Sequence, residues 1–319
     1  MILTVSPNVA LDRVHVVRGY APGQQCRAML SFLQPGGSGV HAASVIHSLG
    51  GQSIAFGLLG GHTGDLWQAE AARRGLVTDM VSIPGETRES FCLIDLDLGN
   101  VVESVEQGPH VHPGCLPALM ARLDQVLPKA RMLIISGSLP PDFPIRGYAE
   151  IAGLAQRYGV RMIADLHGEQ LRQILGQRPW LIKPSLSEFE ELIGRKTPDL
   201  QERALQSQRL YRDSGVIIAL SMSADGLLVT GPEGQWLLKP PLVDLQLPDG
   251  RGRNVIGCGD ALVGALAYEY CNTRELLAAA RLGMAAAHYN LGTFGVPEID
   301  AEGTRRLVES VEVAPVGSL

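Results

Sequence analysis

Apolar positions along the chain fall into two alternating patterns. Short runs rich in β-branched and aliphatic residues predict strands: "ILTVS", "SIAFGLLG", "RMLIISG", "RMIADL", "WLIKPS", "VIIALS" and "GLLVTG". Between them, longer stretches with helical spacing predict helices: "GVHAASVIHSL", "DLWQAEAARRG", "CLPALMARLDQVL", "YAEIAGLAQRYG" and "LSEFEELIG". After Gly259 the chain becomes mostly helical through "TRELLAAARLGMAAAHYNLG". Strand and helix alternating in this way predict an α/β fold around a largely parallel sheet. No internal repeat, low-complexity tract or long Ser/Gly linker interrupts the pattern, so one domain over residues 1–319 is expected.

Two segments break the rhythm. Residues 13–34, "RVHVVRGYAPGQQCRAMLSFLQ", and 86–97, "ETRESFCLIDLD", read as strands joined without helices, and together they predict a small separate sheet. Ligands of open α/β folds sit at the carboxyl ends of the strands, so such a sheet is placed to act as a lid. A plain extension of the main sheet is the alternative.

Composition narrows the partners. Apolar residues make up 45% of the 319 and charged residues 19%, enough for a sizeable core. A net charge of -6 and a pI near 5.8 count against nucleic acid, whose footprint is a basic patch or stripe. The opening "MILTVSPNVALDRV" has neither a basic nor a long apolar region, so no secretory leader is expected. No apolar run reaches the roughly 18 residues of a membrane span. Five cysteines (26, 92, 115, 258 and 271) form no CxxC pair and are odd in number, which predicts free thiols and a cytoplasmic protein.

Three glycine-bearing turns carry the candidate chemistry. "QPGGSGVHAA" leads Gly36, Gly37 and Gly39 into a helix, where close backbone approach and the helix N-terminus suit an anion. "ISGSLPP" ends a strand with two hydroxyls, Ser136 and Ser138. "NVIGCGDALVGALAY" opens a helix with Gly257, Cys258 and Gly259, whose amides would form an anion hole beside Asp260. Asp260 reads either as an ordinary helix-start carboxylate or as a base acting while the hole neutralises a transferring phosphoryl group. Cys258 is either a thiol acidified by the helix start or a small packing residue. "HVH" at 110–112 offers two imidazoles for a metal but no third ligand, and reads equally as a surface loop. Arg251 and Arg253 either reach a phosphate or belong to a solvated loop. Neither a Walker motif nor a GxGxxG after the first strand is present.

Nearly end to end, the chain resembles the PfkB (ribokinase-like) family of sugar kinases, in the branch of 1-phosphofructokinase, tagatose-6-phosphate kinase and the minor 6-phosphofructokinase. The resemblance rests on "TVSPNVALDR", "PGGSGVHAASVIHSLGG", "TR" at 87–88, "SGSLPPDF", "IKPSLSEFEELIG" and "NVIGCGDALVGA", in family order and spacing. It implies a three-layer αβα sandwich with a mainly parallel central sheet and a small β-lid, the lid often serving as a dimer interface. It implies ATP and Mg²⁺, with Asp260 as base and the Gly257–Gly259 amides as anion hole. Asp12, Gly36, Gly37, Ser38 and His41 would bind the sugar, with Arg88 and Ser138 near a phosphate already on it. Lys183, Ser185 and Glu188 would lie on the nucleotide and metal side, the glutamate through water, and Ser221, Ser223, Gly226 and Asn290 would line the ATP pocket.

This sequence departs from the family pattern at several of these places. His41 stands where the family has asparagine, Ser185 replaces the asparagine of "KPN", and Ser223 replaces a glycine. Val102 and Val105 remove polar groups from "VESVEQGP", and "GQQCR" in the first lid segment lacks the lysine sometimes found before the arginine, leaving Arg27 as the only nearby cation. Three readings follow: a kinase of a sugar phosphate, which Arg88 favours; a kinase of an unphosphorylated sugar or nucleoside; and a sugar-binding protein without turnover.

Overall fold

The structure, a computed structural model, describes residues 1–295 and 297–318. The first half runs β1 (Ile2–Asn8), β2 (Ala10–Val17), β3 (Leu30–Gly36), α1 (Ser38–Ser48), β4 (Ser53–Leu59), α2 (Gly61–Arg73), β5 (Thr78–Ser82), β6 (Arg88–Asp95), β7 (Asn100–Val105) and α3 (Cys115–Val126). Then follow β8 (Met132–Ser136), α4 (Gly147–Arg157), β9 (Arg161–Asp165), α5 (Gly168–Gly176), β10 (Leu181–Ile182), α6 (Leu186–Ile193) and α7 (Leu200–Ser214). The chain ends with β11 (Ile217–Ser221), β12 (Leu227–Gly231), β13 (Gly234–Lys239), α8 (Cys258–Thr273), α9 (Leu276–Asn290), α10 (Ala301–Val308) and β14 (Glu312–Pro315).

The large sheet has the order β14-β13-β12-β11-β10-β9-β8-β1-β4-β5. From β11 to β5 neighbouring strands are parallel, whereas β12, β13 and β14 add an antiparallel edge. Its strands are apolar on both faces because helices cover both. Leu3, Val5, Leu133 and Ile135 pack towards Leu119, Tyr148, Ile174 and Phe189 of helices α3 to α6. Their neighbours Ile2, Met132 and Ile134 point the other way, towards Ile46, Leu266 and Ala279 of α1, α8 and α9. The result is the expected α/β sandwich of three layers.

A separate sheet has the order β3-β2-β6-β7. Its inner face buries Val14, Val16, Cys92 and Ile94 against Leu247. The expected boundaries need correcting. The sheet starts at Ala10 rather than residue 13, its first two strands are parted by a loop over residues 18–29, and β7 lies outside both predicted segments. Strand β7 is mostly exposed, so "NVVESV" lacks the apolar run that marks a covered strand. Helices α5, α7 and α10 and strands β5, β13 and β14 also escaped the pattern, while "WLIKPS" forms only the two-residue β10. All five cysteines are free, as expected.

Close packing of α1 on α8 fixes the geometry of the site. A Cβ on Gly264 would stand 2.6 Å from the Ala42 carbonyl oxygen, so only glycine lets the two helices approach this far.

Candidate active site

Helices α1 and α8 both start from a glycine with positive φ, Gly37 at 111° and Gly257 at 78°. Neither start carries a side-chain cap, in contrast to α6, α7 and α10, which are capped by Ser185, Asp199 and Asp300. First-turn amides have no partner within their own helix. At α8 the Cys258 amide makes one long contact, 3.5 Å, to the Val255 carbonyl. Both starts open onto a cavity of about 410 Å³, bounded on its other side by the small sheet.

That cavity gathers Asp12, Gly37, Ser38, His41, Arg88, Ser138, Glu188, Gly257 and Asp260 from the residues singled out in the sequence. Gly36 lies just behind, and a Cβ there would overlap the Asp12 carboxylate. His41, in the first turn of α1, sits between two carboxylates. Its Nε2 is 2.8 Å from Asp12 Oδ2 and its Nδ1 is 2.8 Å from Asp260 Oδ2. Burial alone would lower the imidazole's pKa, but the two carboxylates outweigh it and raise it to about 10.

Two further cavity residues, Glu103 and Asp165, went unrecognised in the sequence. Glu103 reaches in from β7 and accepts from Ser90 Oγ at 3.3 Å; burial and then the nearby Asp12 raise its pKa. Period-two spacing with Val105, another lining residue, is the signal that would have placed it on the inner face. Asp165 ends β9 at the carboxyl edge of the sheet, where ligand-binding residues of this architecture concentrate. It pairs at 3.0 Å with Lys183, both side chains nearly buried. Burial lifts Asp165 to about 6, whereas Asp165 holds the Lys183 ammonium charged against a burial effect of opposite sign. Lys183 Nζ stands 3.5 Å from where a Cβ of Gly259 would lie, which sets its charge against the start of α8.

Arg88 lines the cavity, yet much of its guanidinium is already engaged. Nε and Nη2 donate to the Asn8 carbonyl at 3.2 and 2.9 Å, and Nη1 donates to the Glu106 carbonyl at 2.9 Å. Burial lowers its pKa from the usual arginine value. Ser138 accepts from Asn8 Nδ2 at 3.1 Å. Ser185 closes a capping box with Glu188: its amide donates to Glu188 Oε2 at 2.7 Å, and its hydroxyl accepts from the Glu188 amide at 3.4 Å. The serine therefore performs the helix-capping part of what an asparagine would do there.

A second cavity, of about 490 Å³, lies on the far side of the α8 start. Its walls are mainly apolar, with Pro240, Pro241, Leu242, Val243, Val255, Met284, Ala287 and Leu291. Leu242 is 88% exposed and Val255 66%, an apolar surface that no other described residue covers. Ser223, Cys258 and Arg253 are the sequence-selected residues on this wall. Ser223 has φ 52°, the left-handed region that favours glycine, which accounts for glycine at the family position. Burial pushes the Cys258 thiol up to about 11, which counts against a thiol acidified by the helix start.

Asn290, Ser221 and Gly226 do not stand on that wall. Asn290 is fully buried, and its Nδ2 donates to the Ile256 carbonyl at 2.7 Å and to the Asn254 carbonyl at 3.4 Å. It braces the loop that delivers Gly257. The Ser221 hydroxyl donates to the Pro184 carbonyl at 3.3 Å. Gly226, at φ 106°, has the Leu238 carbonyl where a Cβ would go. Of the loop residues, Arg253 pairs with Asp244 beside this cavity, and Arg251 lies away from both cavities. His110 pairs with exposed Asp142 at 2.7 Å, and no group of three metal-ligating side chains occurs among the described residues.

Two helix starts facing a polar cavity under the small sheet, and an apolar cavity on the far side of the α8 start, define the class: an α/β protein with adjoining polar and apolar binding sites. Residues 16–300 match the pfkB family of carbohydrate kinases, and the chain belongs to that family. It is an ATP-dependent carbohydrate kinase. Over 297 residues it is 32% identical to a 1-phosphofructokinase of Rhodobacter capsulatus, covering 92% of this chain and 90% of that one. It is 27% identical to the ATP-dependent 6-phosphofructokinase isozyme 2 of Mycobacterium tuberculosis, over 99% of this chain and 91% of the relative. The fold is shared with a Thermotoga maritima chain described as a possible 1-phosphofructokinase, at TM-score 0.90, 24% identity and 99% coverage of both. It is shared also with phosphofructokinase-2 of Escherichia coli in complex with fructose-6-phosphate, at TM-score 0.84, 23% identity and 97% and 98% coverage. No helix among the described residues is long and apolar enough to cross a membrane.

Proposed function

We propose that this kinase transfers the terminal phosphoryl group of ATP to a hydroxyl of a sugar phosphate of the fructose or tagatose type, giving a bisphosphate. The observation that carries the reading is the meeting of Asp260 and Arg88 in one cavity at the start of α8. Asp260 takes the proton from the acceptor hydroxyl, and that oxygen forms the new bond to phosphorus as the β–γ bridging bond breaks and ADP leaves. Amides of Gly257, Cys258 and Gly259, with Lys183 beside them, face the negative charge of the transferring group. Asp12 and the Gly36–Gly37 backbone orient the sugar. Arg88 and Ser138 meet its existing phosphate. The adenine covers the apolar wall of the second cavity. Names borne by the relatives, 1-phosphofructokinase and 6-phosphofructokinase, support the acceptor class.

Mg²⁺ suits the polar residues present. It commonly keeps several waters and takes one or two carboxylates plus phosphate oxygens, and so needs no closed protein cage. Glu188 has one oxygen on the Ser185 amide, and its other oxygen has no hydrogen-bond partner among the described residues. It would hold the ion through water, and the ion would supply charge neutralisation at the phosphates.

A second reading, phosphorylation of an unphosphorylated sugar, is favoured by the three bonds that already tie Arg88 to backbone carbonyls. An ATP-coupled assay over hexoses, hexose phosphates, pentoses and nucleosides separates the two. Turnover confined to hexose phosphates, with KM raised by Arg88→Ala, supports the first reading; an unphosphorylated acceptor turned over equally well by both forms overturns it. The small sheet's outward face also supports a homodimer through it: Phe91 on β6 is 36% exposed and Val102 on β7 51%. Light scattering of Phe91→Glu against the parent chain checks this.

A further inference from the structure

Both ring nitrogens of His41 face carboxylate oxygens at 2.8 Å, and this forces a proton count. A neutral imidazole has one N–H and one lone pair. Set between two ionised carboxylates, it would aim that lone pair at an oxygen within hydrogen-bond distance. The arrangement is satisfied only if the group of three holds one extra proton. With Asp12, His41 and Asp260 together, the net charge is then −1 instead of −2.

We propose that His41 is a positioning residue which, as a doubly protonated bridge, fastens the proposed base Asp260 to the sugar-binding carboxylate Asp12 and keeps both ionised and aligned before the sugar arrives. This rests on the assignment of Asp260 and Asp12 under Proposed function. The bridge is rigid. His41 is 8% exposed and lies in the first turn of α1, Asp260 lies in the first turn of α8, and the contact of Gly264 with Ala42 leaves those helices no slack. Asp12 in turn rests on Gly36, the only residue type that leaves it room. His41 engages the Oδ2 of each aspartate, leaving each Oδ1 for the substrate.

In turnover the acceptor's O–H bond breaks and its proton goes to Asp260 Oδ1, while His41 keeps both of its own. An asparagine in this place brings no charge, so the two aspartates would then face each other without a cation between them. Other charged groups around His41 do not replace it. Glu103 on β7 adds negative charge, Arg88 on β6 is tied to carbonyls, and Lys183 is paired with Asp165. Elevation of the imidazole pKa to about 10, burial opposing and the carboxylates prevailing, agrees with the proton count.

Two measurements test this. In ¹⁵N-histidine spectra of the free protein at pH 8, the His41 signal, assigned by its loss in His41→Gln, is expected to show both nitrogens protonated. A neutral tautomer at that pH overturns the proposal. The pH profile of kcat/KM for the sugar is the second. Removing the cation from a carboxylate pair makes the pair hold protons more tightly. The acid limb in His41→Gln and His41→Asn is therefore expected to move up by about one pH unit or more, with activity returning towards the parent's at higher pH and KM for ATP unchanged. Parallel profiles at every pH would show a merely structural role and overturn the proposal. The spectrum needs no substrate. If no acceptor is turned over while His41 is doubly protonated, the failure belongs to the proposed function and not to the bridge.

Discussion

The two cavities on either side of the α8 start are built on opposite principles. The one under the small sheet is polar, and its side chains are mutually committed: Asp12 to His41, His41 to Asp260, Asp165 to Lys183, Arg88 to two carbonyls. The other is apolar and open, with Leu242 and Val255 exposed. Charged groups with low exposure are stable only when paired, so changing one strands its partner. An apolar wall loses only contact area, in proportion to what is removed. The first cavity should therefore respond steeply to single substitutions and the second gently.

Asp260→Asn should sharpen the contrast most. It removes the proposed base while leaving a side chain of similar shape, and kcat is expected to fall about 10²- to 10⁴-fold with ATP binding retained. Steady-state kinetics with calorimetric ATP binding checks this. A kcat within a few-fold of the parent's would break the assignment. Next comes Lys183→Met, which leaves Asp165 buried without its cation. A stability loss of about 3–5 kcal/mol is expected by urea unfolding. A loss below about 1 kcal/mol would mean that the polar cavity is less committed than its geometry indicates.

The stability contribution of His41 should depend on pH with a defined sign. Its value in the folded protein, about 10, lies above the ordinary 6.5. The contribution is therefore complete below pH 6.5 and lost as pH rises through 10. The stability gap between the parent and His41→Leu should narrow across that window. A gap constant from pH 7 to 10 would contradict it.

On the apolar side effects should be small. Leu242→Ala should raise KM for ATP only a few-fold, equivalent to about 1 kcal/mol of contact, with kcat for the sugar unchanged. Ser223→Gly relieves a left-handed serine at the cost of a freer unfolded chain. Its net effect on unfolding should stay within about 1 kcal/mol, with the sign favouring glycine. A tenfold loss of kcat in either variant would dissolve the distinction between the cavities.

Much of this architecture was legible from local pattern. Strand and helix alternation gave the α/β layers because covered strands and amphipathic helices differ in apolar period. The glycines at 37 and 257 marked their turns because each answers a local demand, a positive φ, whereas Gly36 makes room for Asp12 of the neighbouring strand. The exposed β7 was illegible, and Glu103 with it, since one polar strand resembles a loop until its partner is known.

Ser185 and Asn290 show the same boundary from the other side. The resemblance placed both with the nucleotide, and the fold shows a local role that it did not reveal: one caps α6 and the other braces the Gly257 loop. Asp260 was nominated by its place at a glycine-flanked helix start, a feature of neighbouring residues, whereas Asp12 and His41 were nominated by the family resemblance. Their assembly into one bridged group was a matter of tertiary structure alone. Positions 12, 41 and 260 meet only because α1 packs on α8 through Gly264, and β2 crosses above the carboxyl end of the main sheet. Neither approach leaves a trace in the spacing of residues along the chain.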